Sequence, residues 1–291
     1  MLNHHSDIAW CSEFEYSVDC VSENGEFPPL DFYYEWLSVQ HIFQLTQFVI
    51  DPQLNYLELV NSFLLQQQHR QKKRLIGATV HRHFDRLLHI WPNARFIHLI
   101  RDGRDVARSC IGMGWAGNSW VGVNRWLEAE QLWDKVQSTI SVDRYIQVKF
   151  EDLITEPMVT LSSLCQFMDL DFDESMLQYS ATTTYDKPNP KLVEQWRYKM
   201  RDQDIQLVEA KVSTLLLDRG YELSGLPKLQ VTDLALARIK FQDWWYKLNF
   251  RIQRYGFGLT FSNFLSRRLG LKDWEKQTTL QINEILVSYL K

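Results

Sequence analysis

The chain reads as an α/β protein with a parallel sheet, and three observations carry that reading. Short β-branched or apolar runs at 74–79 (RLIGAT), 95–100 (RFIHLI) and 145–150 (YIQVKF) have the length and composition of buried strands. Each is followed by a helical pattern, at 81–90, at 104–111 continuing into 121–136, and at 157–168. Strands alternating with helices at this spacing form βαβ units, whose strands run parallel.

The remaining elements fit around that frame. Residues 31–49 and 52–70 read as two amphipathic helices ahead of the first strand, and 202–217 as another that stops at Gly220. The stretch 171–198 lacks periodicity and holds Pro188 and Pro190, so it reads as an ordered loop. A boundary at 224–227 (SGLP) separates a first unit, 1–225, from a helical tail, 226–291. In the tail, Leu234, Ile239, Phe241, Trp244, Trp245, Leu248 and Phe250 recur at helical spacing. Such a stripe is expected to pack on the main unit; the rival readings are contact with a membrane surface and self-association.

Composition excludes several classes. With 45% hydrophobic and 23% charged residues over 291 positions, the chain is globular rather than disordered or low-complexity. Its net charge of −4 makes no polycation, so nucleic acid is not an expected partner. The charge is uneven: 226–291 carries a net +6 and 1–225 a net −10. Four cysteines without CxxC or zinc spacing imply neither a disulfide framework nor a metal. The first residues lack the apolar core of a signal peptide, and no run of about 18 apolar residues occurs, which points to the cytoplasm.

Among motifs, Gly112-Met113-Gly114-Trp115-Ala116-Gly117 fits G-x-G-x-x-G but follows a helix rather than a strand, so it reads as turn chemistry. No Walker loop, G-x-S-x-G or H-E-x-x-H is present. The informative stretch is RFIHLIRDGRDVARS, 95–109. Arg101 emerges at a strand's carboxyl end, where open α/β sheets bind ligands, and Ser109 lies two turns into the next helix. A guanidinium and a hydroxyl so placed can hold a phosphate dianion; the rival reading is a structural ion pair of Arg101 with Asp102.

RDGRDVARS resembles the 3′-phosphate-binding motif of sulfotransferases that use 3′-phosphoadenosine 5′-phosphosulfate (PAPS). WPNARFI at 91–97, YIQVKFEDL at 145–153, the helix after Glu156-Pro157, Trp196-Arg197 and Gly220-Tyr221-Glu222 resemble further segments of that family in order. The resemblance implies a three-layer, P-loop-NTPase-like central parallel sheet flanked by helices. It implies PAPS as co-substrate without a metal, and an acceptor hydroxyl on a small molecule, glycan or lipid. Arg101 and Ser109 would bind the 3′-phosphate, with Trp196 and Arg197 where the family closes a loop over the nucleotide. His5-Ser6-Asp7-Ile8 and Ser12-Glu13 resemble the segment in which tyrosylprotein-type members carry their catalytic base, here Glu13.

Two departures accompany the resemblance. The family's G-x-x-R-[ST]-G-[ST]-[ST] loop, which wraps the 5′-phosphosulfate with backbone N–H groups, does not occur in these 291 residues, nor does the strand before it. Thr79 stands where the family often has a Lys, with His81 and Arg82 as nearby cations. The expectation is a chain lacking its first strand and loop, from a misplaced start or a truncated gene, and nearly inactive as written. The alternatives are a catalytically dead scaffold and a metal-dependent phosphotransferase.

Overall fold

The structure is a computed structural model that describes residues 1–183 and 187–289. Among the described residues, four strands run in two parallel ladders. The first pairs β1 (Ile8–Cys11) with β2 (Leu75–Ala78), Ile8 opposite Leu75. The second pairs β3 (Phe96–Ile100) with β4 (Tyr145–Lys149), Phe96 opposite Tyr145. The α/β class with parallel strands therefore holds, while no ladder joins β2 to β3 among the described residues.

Strand β1 has no counterpart in the sequence reading. Four residues between His5-Ser6-Asp7 and Ser12-Glu13 are too short to show a period, although Ile8, Ala9 and Cys11 are buried. The crossover to β2 runs through α1 (Leu30–Leu37), α2 (His41–Thr46) and α3 (Tyr56–Gln71). The expected helix over 31–49 is thus two. Ser38 follows α1, its hydroxyl donating to the Glu35 carbonyl, and Gln47 ends α2 in the left-handed region. Helix α3 starts later than its pattern because Asn55 and Glu58 form a reciprocal capping box. Phe14, Tyr16, Phe43 and Phe63 of this half form an aromatic core with edge-to-face contacts.

Between β2 and β3 the 81–90 pattern shrinks to α4 (Leu87–Ile90) after a 3₁₀ turn, since His83 takes a left-handed conformation (φ 53°). From β3 to β4 the chain passes α5 (Gly103–Gly112), the one-turn α6 (Ser119–Gly122) and α7 (Asn124–Thr139). Gly122 permits close passage of α6 over α5: a Cβ there would stand 2.6 Å from the Ala107 carbonyl oxygen. After β4 come α8 (Phe150–Thr155) and α9 (Pro157–Phe167), with Leu161, Leu164 and Cys165 packed under β4.

The loop reading over 171–198 is met by 3₁₀ turns at Glu174–Ala181 and Pro190–Leu192; residues 184–186 of that stretch lie outside the described residues. The turn α10 (Trp196–Lys199) precedes α11 (Asp202–Asp218), beyond which Gly220 sits at φ 72° as its position required. The tail forms α12 (Asp233–Tyr255), α13 (Phe257–Leu269) and α14 (Lys272–Val287).

The glycine-rich stretch 112–117 receives α12. The Gly117 N–H donates to Asp243 Oδ1 at 2.7 Å, and Asn118 Nδ2 donates to the Ile239 carbonyl at 2.9 Å. A Cβ at Gly114 would collide with the Phe250 ring at 2.2 Å. The turn reading of this motif gains a physical reason: bare backbone lets a helix settle on the loop. The aromatic stripe of α12 divides accordingly. Ile239 is buried and Phe250 meets Gly114, whereas Phe241, Trp244 and Trp245 are more than half exposed.

Candidate functional site

The carboxyl end of β3 carries Arg101, the first of the candidate residues. Asp102 caps α5 by accepting the Arg104 N–H at 2.9 Å, and its carboxylate takes the Arg104 guanidinium from Nε at 3.0 Å and Nη2 at 2.7 Å. Arg104, 1% exposed, also reaches Glu209 Oε1 of α11 at 2.7 Å and the Glu222 carbonyl at 2.8 Å. Glu209 in turn accepts the Ser224 N–H and hydroxyl, both at 2.8 Å. A buried Asp–Arg–Glu chain thus anchors the turn after β3 to α11.

Arg101 is therefore left to other partners than Asp102. Its Nη2 lies 3.5 Å from Asp105 Oδ2 and 3.2 Å from the Leu192 carbonyl, and its guanidinium rests 4.4 Å over the Phe150 ring. Asp105 holds the following segment, accepting the Trp196 N–H at 2.7 Å and the Gln195 N–H at 3.2 Å. Burial raises the pKa of Asp105, with Arg101 and those two N–H groups acting against the rise. Glu151 joins the two strand ends, accepting the Asp102 N–H at 3.0 Å and the Tyr221 hydroxyl at 3.1 Å. Burial raises its pKa too. Asp105 and Glu151 escaped the sequence reading; the signal available was their place one turn beyond, or directly after, the end of a strand.

Asp105 links Arg101 to the Trp196 N–H, Arg197 follows directly, and Ser109 lies farther along α5. The Trp196 ring is 2% exposed, with the Arg104 guanidinium 3.6 Å and the Arg197 guanidinium 4.3 Å from its centre. Arg197 is half-exposed and paired with Glu194 through two bonds of 2.8 and 2.9 Å. Ser109 is exposed on α5, one turn past Asp105 and next to Arg108, whose Nη2 donates to Gln195 Oε1. Both Arg101 Nε and Arg108 Nε are buried without a hydrogen-bond partner. A guanidinium donor and a hydroxyl are the side-chain types that can hold a phosphate dianion.

Glu13 sits apart, in the turn that follows β1. It is exposed and holds φ 53°, a left-handed conformation that costs a non-glycine residue about 1–3 kcal/mol. Its neighbours are His41 at the start of α2 and Arg82, on both of which its charge acts. Arg82 is held by Asp19 through two bonds of 2.8 and 2.6 Å, and His81 donates its backbone N–H to buried Glu15. The Thr79 hydroxyl accepts the Trp10 indole N–H at 2.8 Å. The Arg82 and Thr79 side chains are thus already engaged in the fold.

Burial pushes the His41 pKa below its ordinary 6.5, and the Glu13 charge opposes that shift. Glu13→Gln is expected to lower the His41 pKa further in an NMR titration; an unchanged value would place Glu13 away from His41. The unfolded chain takes up the proton first as pH falls below 6.5, so the contribution of His41 is full above 6.5 and is lost on acidification toward its folded pKa.

A parallel α/β frame with an arginine at the carboxyl end of a strand places Arg101 where open α/β sheets bind ligands. The model of the Sulfotransferase family matches residues 1–174, and the chain belongs to that family. A protein-tyrosine sulfotransferase of Drosophila melanogaster is 25% identical over 109 residues, 35% of this chain and 21% of that protein. The chain thus spans about a fifth of that relative's length. A sulfotransferase domain from the olefin synthase of Synechococcus PCC 7002 has 19% identity and a TM-score of 0.49, over 76% of this chain and 95% of that one. A sulfotransferase domain from the curacin biosynthetic pathway has 19% identity and a TM-score of 0.43, over 56% and 69%.

Proposed function

We propose that the chain binds the 3′-phosphoadenosine moiety of PAPS and that its family chemistry is transfer of a sulfuryl group to an acceptor hydroxyl. The observation that carries this reading is Arg101 at the carboxyl end of β3, its Nε without a hydrogen-bond partner, with the exposed Ser109 two turns along the helix that follows. Arg101 supplies charge from the end of β3, held at its distance by Asp105 and Phe150. Trp196 acts as a positioning residue, its buried ring fixing Arg104 and Arg197, and Arg197 offers a further cation at the surface. Bound PAPS supplies the sulfuryl group. Glu13 accepts the proton of the acceptor hydroxyl, and its strained turn presents the carboxylate to solvent.

On this reading the two ladders are halves of a P-loop-like sheet, residues 1–225 form the sulfotransferase-like unit and 226–291 an extension. The acceptor is a hydroxyl on a small molecule, glycan or lipid.

Calorimetric titration with 3′-phosphoadenosine 5′-phosphate (PAP) in the presence of EDTA tests the reading against its rivals. Saturable binding of PAP without metal is the expected result. Binding of ATP only with magnesium would replace the proposal with a phosphotransferase, and no binding of either would leave the scaffold.

A further inference from the structure

Helix α13 is built with its polar side inward. Asn263 and Ser266 are buried, at 7% and below 1% exposure, and Thr278 of α14 is buried against them. Asn263 Nδ2 donates to Thr278 Oγ1 at 3.0 Å, and the Ser266 hydroxyl donates to the Asn263 carbonyl at 3.0 Å. The aromatic residues take the opposite side: Phe257, Phe261 and Phe264, spaced four and three apart, are 68%, 51% and 59% exposed. Phe257 and Phe261 stack in parallel planes with centres 5.9 Å apart, so the face is organised rather than scattered. Leu269 and Leu271, where α13 ends, are exposed as well, at 58% and 48%. A water-facing helix of a globular protein has the reverse arrangement, and a contiguous exposed apolar face marks a surface that meets something else.

Charge indicates what that is. The segment carrying this face has a net +6, whereas the rest of the chain has −10. Around α13, exposed Arg251, Arg268, Lys272 and Lys276 form no ion pair among the described residues. A second copy meeting this face would bring two positive surfaces together. An anionic lipid surface satisfies both features at once, with aromatic rings in the acyl boundary and cations at the headgroups. The acidic main unit is repelled by the same surface, which turns the tail toward it. No helix among the described residues is long and apolar enough to cross a membrane, so the contact is interfacial.

We infer that α13 and its basic flanks dock the chain on anionic phospholipid membranes, with Phe257, Phe261 and Phe264 inserted at the interface. This stands independently of nucleotide binding, which is read out at Arg101.

Co-sedimentation of the full chain with vesicles tests the inference. Vesicles of phosphatidylcholine mixed with phosphatidylglycerol are expected to bind the chain at least about tenfold more strongly than phosphatidylcholine alone, and added salt should weaken the binding. Phe261→Ser combined with Phe264→Ser should abolish sedimentation with an unchanged circular dichroism spectrum, since both rings are exposed. Arg268→Gln with Lys272→Gln should weaken it without touching an apolar residue, which guards against misfolding of the first variant. Equal sedimentation with both vesicle types, or retention by both variants, would overturn the inference. So would a dimer in sedimentation velocity that the Phe variant converts to monomer while wild type ignores vesicles.

Discussion

Arg104→Ala is expected to destabilise the chain by about 3–5 kcal/mol, read as a fall in the urea midpoint. Removing the guanidinium leaves Asp102 and Glu209 buried and uncompensated, empties the stack on Trp196 and releases the Glu222 carbonyl. Because domain stability totals about 5–15 kcal/mol, this substitution alone consumes a large share of it. The cause can be separated from lost packing. Arg104→Met with Glu209→Gln removes one stranded charge and should recover part of the loss relative to Arg104→Met alone. A stability change within about 0.5 kcal/mol for Arg104→Ala would show that the buried chain of charges does not anchor α5.

Arg101→Ala has the opposite profile, a small effect on the fold and a large one on the ligand. Asp105 keeps the N–H groups of Trp196 and Gln195 in this variant, so the segment after α5 remains clipped in place. PAP affinity should fall by about 10- to 150-fold, the range for losing a charge-assisted contact of 1.5–3 kcal/mol. Ser109→Ala removes a neutral hydroxyl from an exposed position and should cost only several-fold. Unchanged PAP affinity in Arg101→Ala would remove this residue from the site.

How much of this was legible in the sequence depends on the length of each signal. Strands β2, β3 and β4 appeared within a residue or two because each is a continuous apolar run bounded by turns. Strand β1, with four residues flanked by polar ones, gave no such run and becomes a strand only because β2 lies beside it. Helix ends were set by local chemistry that periodicity does not encode: the Asn55–Glu58 box, and left-handed Gln47 and His83. At the site, Arg101 and Ser109 could be named from spacing, but the partner of Arg101 could not. Adjacency suggested Asp102, whereas the helix cap commits Asp102 to Arg104 and brings Asp105, four residues on, under Arg101. Trp196 and Arg197 were found together by pattern, yet only packing shows that one is core and the other surface. The inverted face of α13 was illegible for the same reason, since burial of Asn263 and Ser266 depends on α14.

The central claim is that this frame recognises a phosphate on the 3′ position of an adenine nucleotide. Titrating the 291-residue chain with PAP and with adenosine 5′-phosphate, which differ by that one group, tests it most directly. The account predicts that PAP binds at least about tenfold more tightly and that Arg101→Ala erases the difference. Equal affinity for the two nucleotides, or a preference that survives Arg101→Ala, would contradict it.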